Sequence, residues 1–220
     1  MALLPVDLDA TPEDVASFLA VDAAVRAAVG AAVGAAVGVP QPGSTPHDPH
    51  ALEWDCGDAA WMALLRPGGE RALLAGWHHE FSLTEGSGRD GDAGTDLMGD
   101  APGWWHRGVE HARGHGRYLG FLYGWDGVRW WRLDQPTDDG FDPEFFPVTG
   151  YALREIIDAL ADDTLLDAPD PRSVDALLAA GADLTAEQLT AVLRSADGWP
   201  EVDAQAGLRA ARRHGAPVPA

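Results

Sequence analysis

The stretch Gly116 to Gln135 constrains the fold more than any other part of the chain. It sets two aromatic-rich runs, Tyr118 to Trp125 and Val128 to Leu133, on either side of Asp126-Gly127. Asp-Gly between alternating apolar runs is a strong hairpin signal, because both residues tolerate the positive φ of a tight turn. A two-residue turn there puts Trp125 against Val128, Tyr123 against Trp130 and Phe121 against Arg132. The other face then carries Gly124 against Arg129, Leu122 against Trp131 and Gly120 against Leu133. Aromatic cross-strand pairs each add about 0.2–1 kcal/mol beyond an alanine pair. Large side chains on both faces predict a central hairpin covered on each side.

The remaining elements follow from capping and periodicity. Thr11-Pro12-Glu13-Asp14 opens a helix, with a capping side chain, a proline suited to the first turn and two acids at the positive dipole end. Val15, Phe18, Leu19, Val21, Val25, Val29, Val33 and Val37 continue it at helical spacing, predicting a helix over 11–38. Its Ala-Ala-Val-Gly repeat leaves a strip of small residues at Gly30, Gly34 and Gly38. Four prolines in Val39 to Pro49 read as a linker. Trp61 to Trp77, with Pro67-Gly68-Gly69 between its halves, predicts a second hairpin. Thr84 to Gly94 reads as a loop, Thr95 to Ala112 as short helical turns, and Thr149 as the cap of a helix over 149–162. A Pro- and Asp-rich break at Asp167 to Pro171 precedes three short helices. Ser173 is the expected cap of the first, and Thr185 with Gln188 matches a capping box for the second.

The fold expected is α+β: an antiparallel sheet of at least four strands, near 61–66, 71–81, 117–125 and 128–133, with surrounding helices. Residues 1–166 form the main domain, with the sheet region over 51–135, and residues 171–220 form a small helical region.

Composition narrows the function. The formal net charge is −20, from 35 acidic and 15 basic residues, every one of the latter an arginine. Nonspecific nucleic-acid binding needs cations that displace counterions from phosphate, so no nucleic-acid partner is expected. An acidic surface keeps a protein soluble, and it also speeds docking of a basic partner. A chain without lysine excludes Schiff-base chemistry. There is no Gly-x-Ser-x-Gly elbow, Walker A lysine or Gly-x-Gly-x-x-Gly fingerprint. Cys56 is the single cysteine, which fits a reducing compartment and a structural role. The N-terminus shows no signal-peptide pattern, and Ala27 to Pro40 is too short and Gly-rich to span a bilayer. A cytoplasmic location with no membrane contact is the expectation.

Histidine supplies the one suggestive cluster: His78, His79, His106, His111 and His115, with Glu80 and Glu110 nearby. A helix over 106–115 brings Glu110, His111 and His115 together, since positions i and i+4 share a face. Two imidazoles and a carboxylate suit zinc or non-haem iron. Gly114 and Gly116 work against a helix at the place where this spacing needs it. His78, His79, His106, Glu110, His111 and His115 are thus the candidate ligands of a metal-dependent enzyme, the alternative reading. Asp90, Asp92 and Asp96 lie in the acidic loop, which lacks the ligand pattern of a calcium-binding EF-hand and serves instead as a candidate docking surface. The nine tryptophans fit either a packed sheet or a stacking groove.

Trp77-His78-His79-Glu80 and the aromatic hairpin resemble the SUKH immunity superfamily, which often shows a strand ending in an aromatic-x-His-Glu phrase. That family tends to follow this strand with a terminal helix, whereas here an acidic loop and another hairpin intervene, and no functional residue is carried across. The resemblance implies a noncatalytic immunity or adaptor protein. Charge and missing catalytic signatures point the same way: an acidic protein-binding protein for a basic partner, with no cofactor.

Overall fold

The computed structural model describes residues 2–37, 51–56, 59–83, 98–99, 101–134, 138–164, 169–194 and 201–215. It shows the α+β class. Among the described residues six strands form one antiparallel sheet: β1 (Leu3–Pro5), β2 (Ala51–Asp55), β3 (Ala60–Gly68), β4 (Arg71–His78), β5 (Phe121–Trp125) and β6 (Trp130–Leu133), in the order β1-β6-β5-β4-β3-β2. Among the described residues six α-helices accompany it: α1 (Pro12–Val37), α2 (His106–Gly114), α3 (Gly150–Thr164), α4 (Pro171–Ala180), α5 (Ala186–Val192) and α6 (Ala204–Gly215). None of them, among the described residues, is long and apolar enough to cross a membrane.

Chain contacts define two units, residues 1–12, 48–143 and 218–220, and residues 13–47 and 144–217. The expected break at Asp167 to Pro171 lies inside the second unit. Helices α1 and α3, placed by the sequence reading with the sheet, share a core with the C-terminal helices.

In the first unit both expected hairpins are present, and the β3–β4 turn places Gly68 and Gly69 at positive φ. The β5–β6 hairpin differs in register: Trp125 pairs with Trp130 and Gly124 with Trp131. The cause is Asp126, whose Oδ1 accepts the amides of Val128 and Arg129 at 2.9 and 3.0 Å. Its Oδ2 takes the Trp131 indole N–H at 2.7 Å. Asp126 therefore closes a four-residue loop rather than entering a two-residue turn. The slip is two residues, so each side chain keeps its expected face. The short edge strands β1 and β2 join this core, with Leu3 opposite Leu133 and Ala51 opposite Leu65.

One sheet face carries Ala51, Trp61, Ala63, Leu65, Leu73, Ala75, Leu122 and Leu133, packed with Trp105 and Ala112 of the α2 region. Trp105 is 1 % exposed and lies on Gly124, where an added Cβ would come within 2.4 Å of its indole. The opposite face, by strand alternation, carries Leu64, Leu74 and Tyr123, with Asp139 buried beside it. Tyr123 Oη donates to Asp139 Oδ2 at 2.8 Å, and the Phe141 amide donates to Oδ1 at 3.1 Å.

The second unit is a helical core. Val21, Ala24, Val25, Ala28 and Val29 of α1 meet Leu153 and Ile157 of α3, Val174 and Leu177 of α4, and Leu189 and Val192 of α5. Thr149 caps α3 through the Ala152 amide at 3.1 Å. Thr185 and Gln188 form the expected capping box. Asp170, not Ser173, caps α4: its carboxylate accepts both the amide and the hydroxyl of Ser173 at 3.0 Å. Pro171 then occupies the first turn, where its missing N–H costs nothing.

Candidate functional site

Helix α2 extends far enough to use its histidines because its glycines end it rather than break it. It runs through Gly114, and Gly116 takes φ +63° just beyond. The Gly116 amide bonds to the Arg113 carbonyl at 3.0 Å and the Arg117 amide to the Ala112 carbonyl at 2.9 Å. This is a Schellman termination, which glycine favours because it enters the left-handed region without a Cβ penalty. The anticipated conflict between Gly114, Gly116 and the helix does not arise. His111 and His115 share a face, with ring centroids 4.5 Å apart.

The carboxylate that meets them is Glu53 of β2, not Glu110. Glu53 lies opposite Ala63, which lies opposite Ala75, so all three project from the face that α2 covers. His111 Nε2 stands 3.2 Å and His115 Nε2 3.8 Å from Glu53 Oε1. One atom from each of the three residues lies within 4.8 Å of the others, a donor set able to hold a metal ion. The His111 side chain is 2 % exposed, against 25 % for His115.

Beyond its cap the chain turns back, so that Arg117 reaches the same strand. Its Nη1 donates to Glu53 Oε2 at 3.1 Å and its Nη2 to Asp55 Oδ2 at 2.6 Å. Glu53 and Asp55 are two apart in a strand, hence on one face, and one guanidinium bridges both. The guanidinium also lies 5.2 Å over the Trp61 ring, whose indole N–H donates to the Tyr118 carbonyl at 2.9 Å. Burial of the Glu53 carboxyl opposes its charge. The hydrogen bond from His111 and the charges of Arg117, His111 and His115 outweigh burial and hold the group below the ordinary glutamate range. His115 Nδ1 lies 2.8 Å from the His111 carbonyl. A concavity of about 380 Å³ opens beside the pair, lined by Arg66, Arg107, Glu110, His111 and His115.

The other candidates lie elsewhere. His78 alternates with Trp77 and so points from the sheet face opposite Glu53; it is buried, stacks on Phe81 at 4.5 Å and accepts the Glu80 amide at Nδ1. Burial, then the charge of His79, keeps His78 below the usual imidazole value. His79 lies just past the strand, exposed, with Nδ1 3.3 Å from the Ala59 carbonyl. His106 is exposed at the start of α2, with Nδ1 3.0 Å from the Gly103 carbonyl. Glu110 is exposed at the rim of the concavity. The six proposed ligands are thereby separated, and only His111 and His115 remain with a shared carboxylate. Glu53 left one trace in the sequence: an acid within the strand-like run Ala51-Leu52-Glu53-Trp54-Asp55.

Asp90, Asp92 and Asp96 fall outside the described residues. Cys56 is exposed. Trp54, Trp61, Trp105 and Trp130 are buried in the first unit. Trp77 is half-buried and meets the exposed Tyr118 at 5.6 Å and His79 at 6.4 Å. Phe81 is exposed one turn further on. Comparison with protein-family models, with curated proteins and with solved structures finds no match for the chain.

Proposed function

We propose that the chain is a noncatalytic protein-binding protein, of the immunity or adaptor kind, that engages a basic partner. The observation that carries this reading is the net charge of −20. A surplus of that size favours encounter with a cationic surface and disfavours anionic polymers. The first unit adds a surface of suitable chemistry: Tyr118, Trp77 and His79 form an aromatic group, and Arg117 and Asp55 lie beside it. Tyrosine, tryptophan and arginine dominate protein interfaces, because they bury large area for little lost side-chain freedom.

The test begins with native mass spectrometry of the protein purified from its own host, which is expected to reveal a bound protein of basic pI. Stopped-flow association of the purified pair is then followed across ionic strength. The association rate is expected to fall with salt, and serine at Asp90, Asp92 and Asp96 to slow it at low salt. Tyr118→Ala is expected to weaken affinity at least about tenfold, the effect of an interface hot spot. An association rate that is indifferent to salt refutes the reading.

A further inference from the structure

We propose that Glu53, His111 and His115 form a binding site for a divalent transition-metal ion of the zinc class. The inference is independent of the protein-binding reading.

Spacing is the first support. Zinc binds imidazole nitrogen and carboxylate oxygen at about 2.0–2.2 Å, so neighbouring ligand atoms of a tetrahedron stand about 3.4 Å apart. The two nitrogens lie 3.2 and 3.8 Å from Glu53 Oε1, on either side of that value. All three ligand atoms lie within 4.8 Å of one another.

Tautomer is the second. The His111 carbonyl can only accept, so the contact at 2.8 Å requires the proton on His115 Nδ1. That leaves His115 Nε2, 3.8 Å from a carboxylate oxygen, as the nitrogen that faces Glu53. A backbone carbonyl on the distal nitrogen is also the usual way a ligating histidine is oriented.

The third is the support behind the carboxylate. Arg117 holds Glu53 Oε2 and leaves Oε1 toward the histidines, so the carboxylate is set up as a one-oxygen donor. Asp55 balances the guanidinium charge. Ligation needs both Nε2 atoms free of protons, so metal and protons compete for the site. Two nitrogens and one oxygen select against calcium and magnesium, which prefer all-oxygen shells, and favour zinc, cobalt or nickel.

The full-length protein, stripped with a chelator and exchanged into metal-free buffer, is titrated with zinc by calorimetry in two buffers of different ionisation enthalpy. Expected are one equivalent bound in the micromolar range or tighter, proton release, and a rise in melting temperature. Cobalt in place of zinc is expected to give the visible absorption of a four-coordinate site. His115→Ala and Glu53→Gln act on partly exposed side chains, and circular dichroism confirms that they fold. Each is expected to weaken zinc at least about 100-fold, beyond the usual loss for an outer-shell partner. His78→Ala and His79→Ala are expected to leave the affinity unchanged. Absence of saturable zinc binding by the folded wild-type chain overturns the proposal, as does binding undiminished in His115→Ala.

Discussion

Replacing Gly124 with alanine tests how α2 is seated on the sheet, and hence how the histidines reach β2. Gly124 lies on β5 opposite Leu73 and Trp131, and its φ is not in the left-handed region, so the backbone itself accepts alanine. The obstacle is Trp105. A Cβ at Gly124 stands 2.4 Å from Cε2 and Nε1 and 2.5 Å from Cζ2 of that indole. Favourable carbon contacts begin near 3.5 Å, so three atoms of a rigid ring are overrun by about 1 Å. Trp105 is 1 % exposed and has nowhere to retreat. Overpacking of this kind costs about 1–3 kcal/mol, and the rigid ring places this case near 3. Alanine in a strand returns about 0.5–1 kcal/mol of glycine's entropic cost. The net expectation is a loss of about 2 kcal/mol. Gly114→Ala is the control. It has nothing within 4 Å and an ordinary φ, so it is expected to stabilise by a few tenths, up to about 0.5 kcal/mol. Urea denaturation followed by tryptophan fluorescence reads the first unit selectively, because every tryptophan except Trp199 lies within residues 48–143. A Gly124→Ala midpoint equal to or above that of the wild type refutes the close seating of Trp105 on β5.

Two further outcomes follow from the opposite sheet face. Tyr123→Phe removes a donor to the buried Asp139 carboxylate while Arg132 and the Phe141 amide still reach it. A hydrogen bond to a charged group contributes about 1.5–3 kcal/mol, so a loss of about 2 kcal/mol is expected, and an unchanged urea midpoint would sink the assignment. His78 is held below its usual range by burial and by His79, against the opposing pull of Glu80 and Asp142. As pH falls through the unfolded value of about 6.5, the unfolded chain takes up the proton first, so stability declines until the lower folded value is passed. His78→Gln is expected to flatten this decline in urea midpoints between about pH 7.5 and 5, and an identical slope in both proteins would contradict it.

Elements set by local signals were legible in the sequence. Helix α1, the two hairpins, the Thr149 cap and the Thr185–Gln188 capping box all depend on neighbours within a few residues. β1 and β2 were harder: three and five residues are too few to show a period, and their pairing depends on the rest of the sheet. The Asp126 loop shows the same limit at finer scale, since its side chain sets the register by accepting two amides, a choice that Asp-Gly alone does not dictate. In the site, the spacing of His111 and His115 was readable as helix geometry. Glu53 was not, because only tertiary pairing of β2 with β3 brings it under α2. Strand alternation removed His78 from the cluster, turning it to the opposite face from Ala75 and Trp77. Gly116 looked like a helix breaker only while its place beyond the last turn was unknown.

The interleaving of the two units has a consequence during synthesis. Helix α1 leaves the ribosome early, yet its core partners begin with Leu153 of α3. At about 5–20 residues per second, the intervening chain takes roughly 6–23 s to appear. All six strands have emerged once Leu133 has, while the valines and alanines of α1 still lack the side chains that will cover them. A nascent chain paused in that interval therefore carries a finished sheet and an orphaned apolar helix. Such a state attracts holdase chaperones and aggregates when translation stalls.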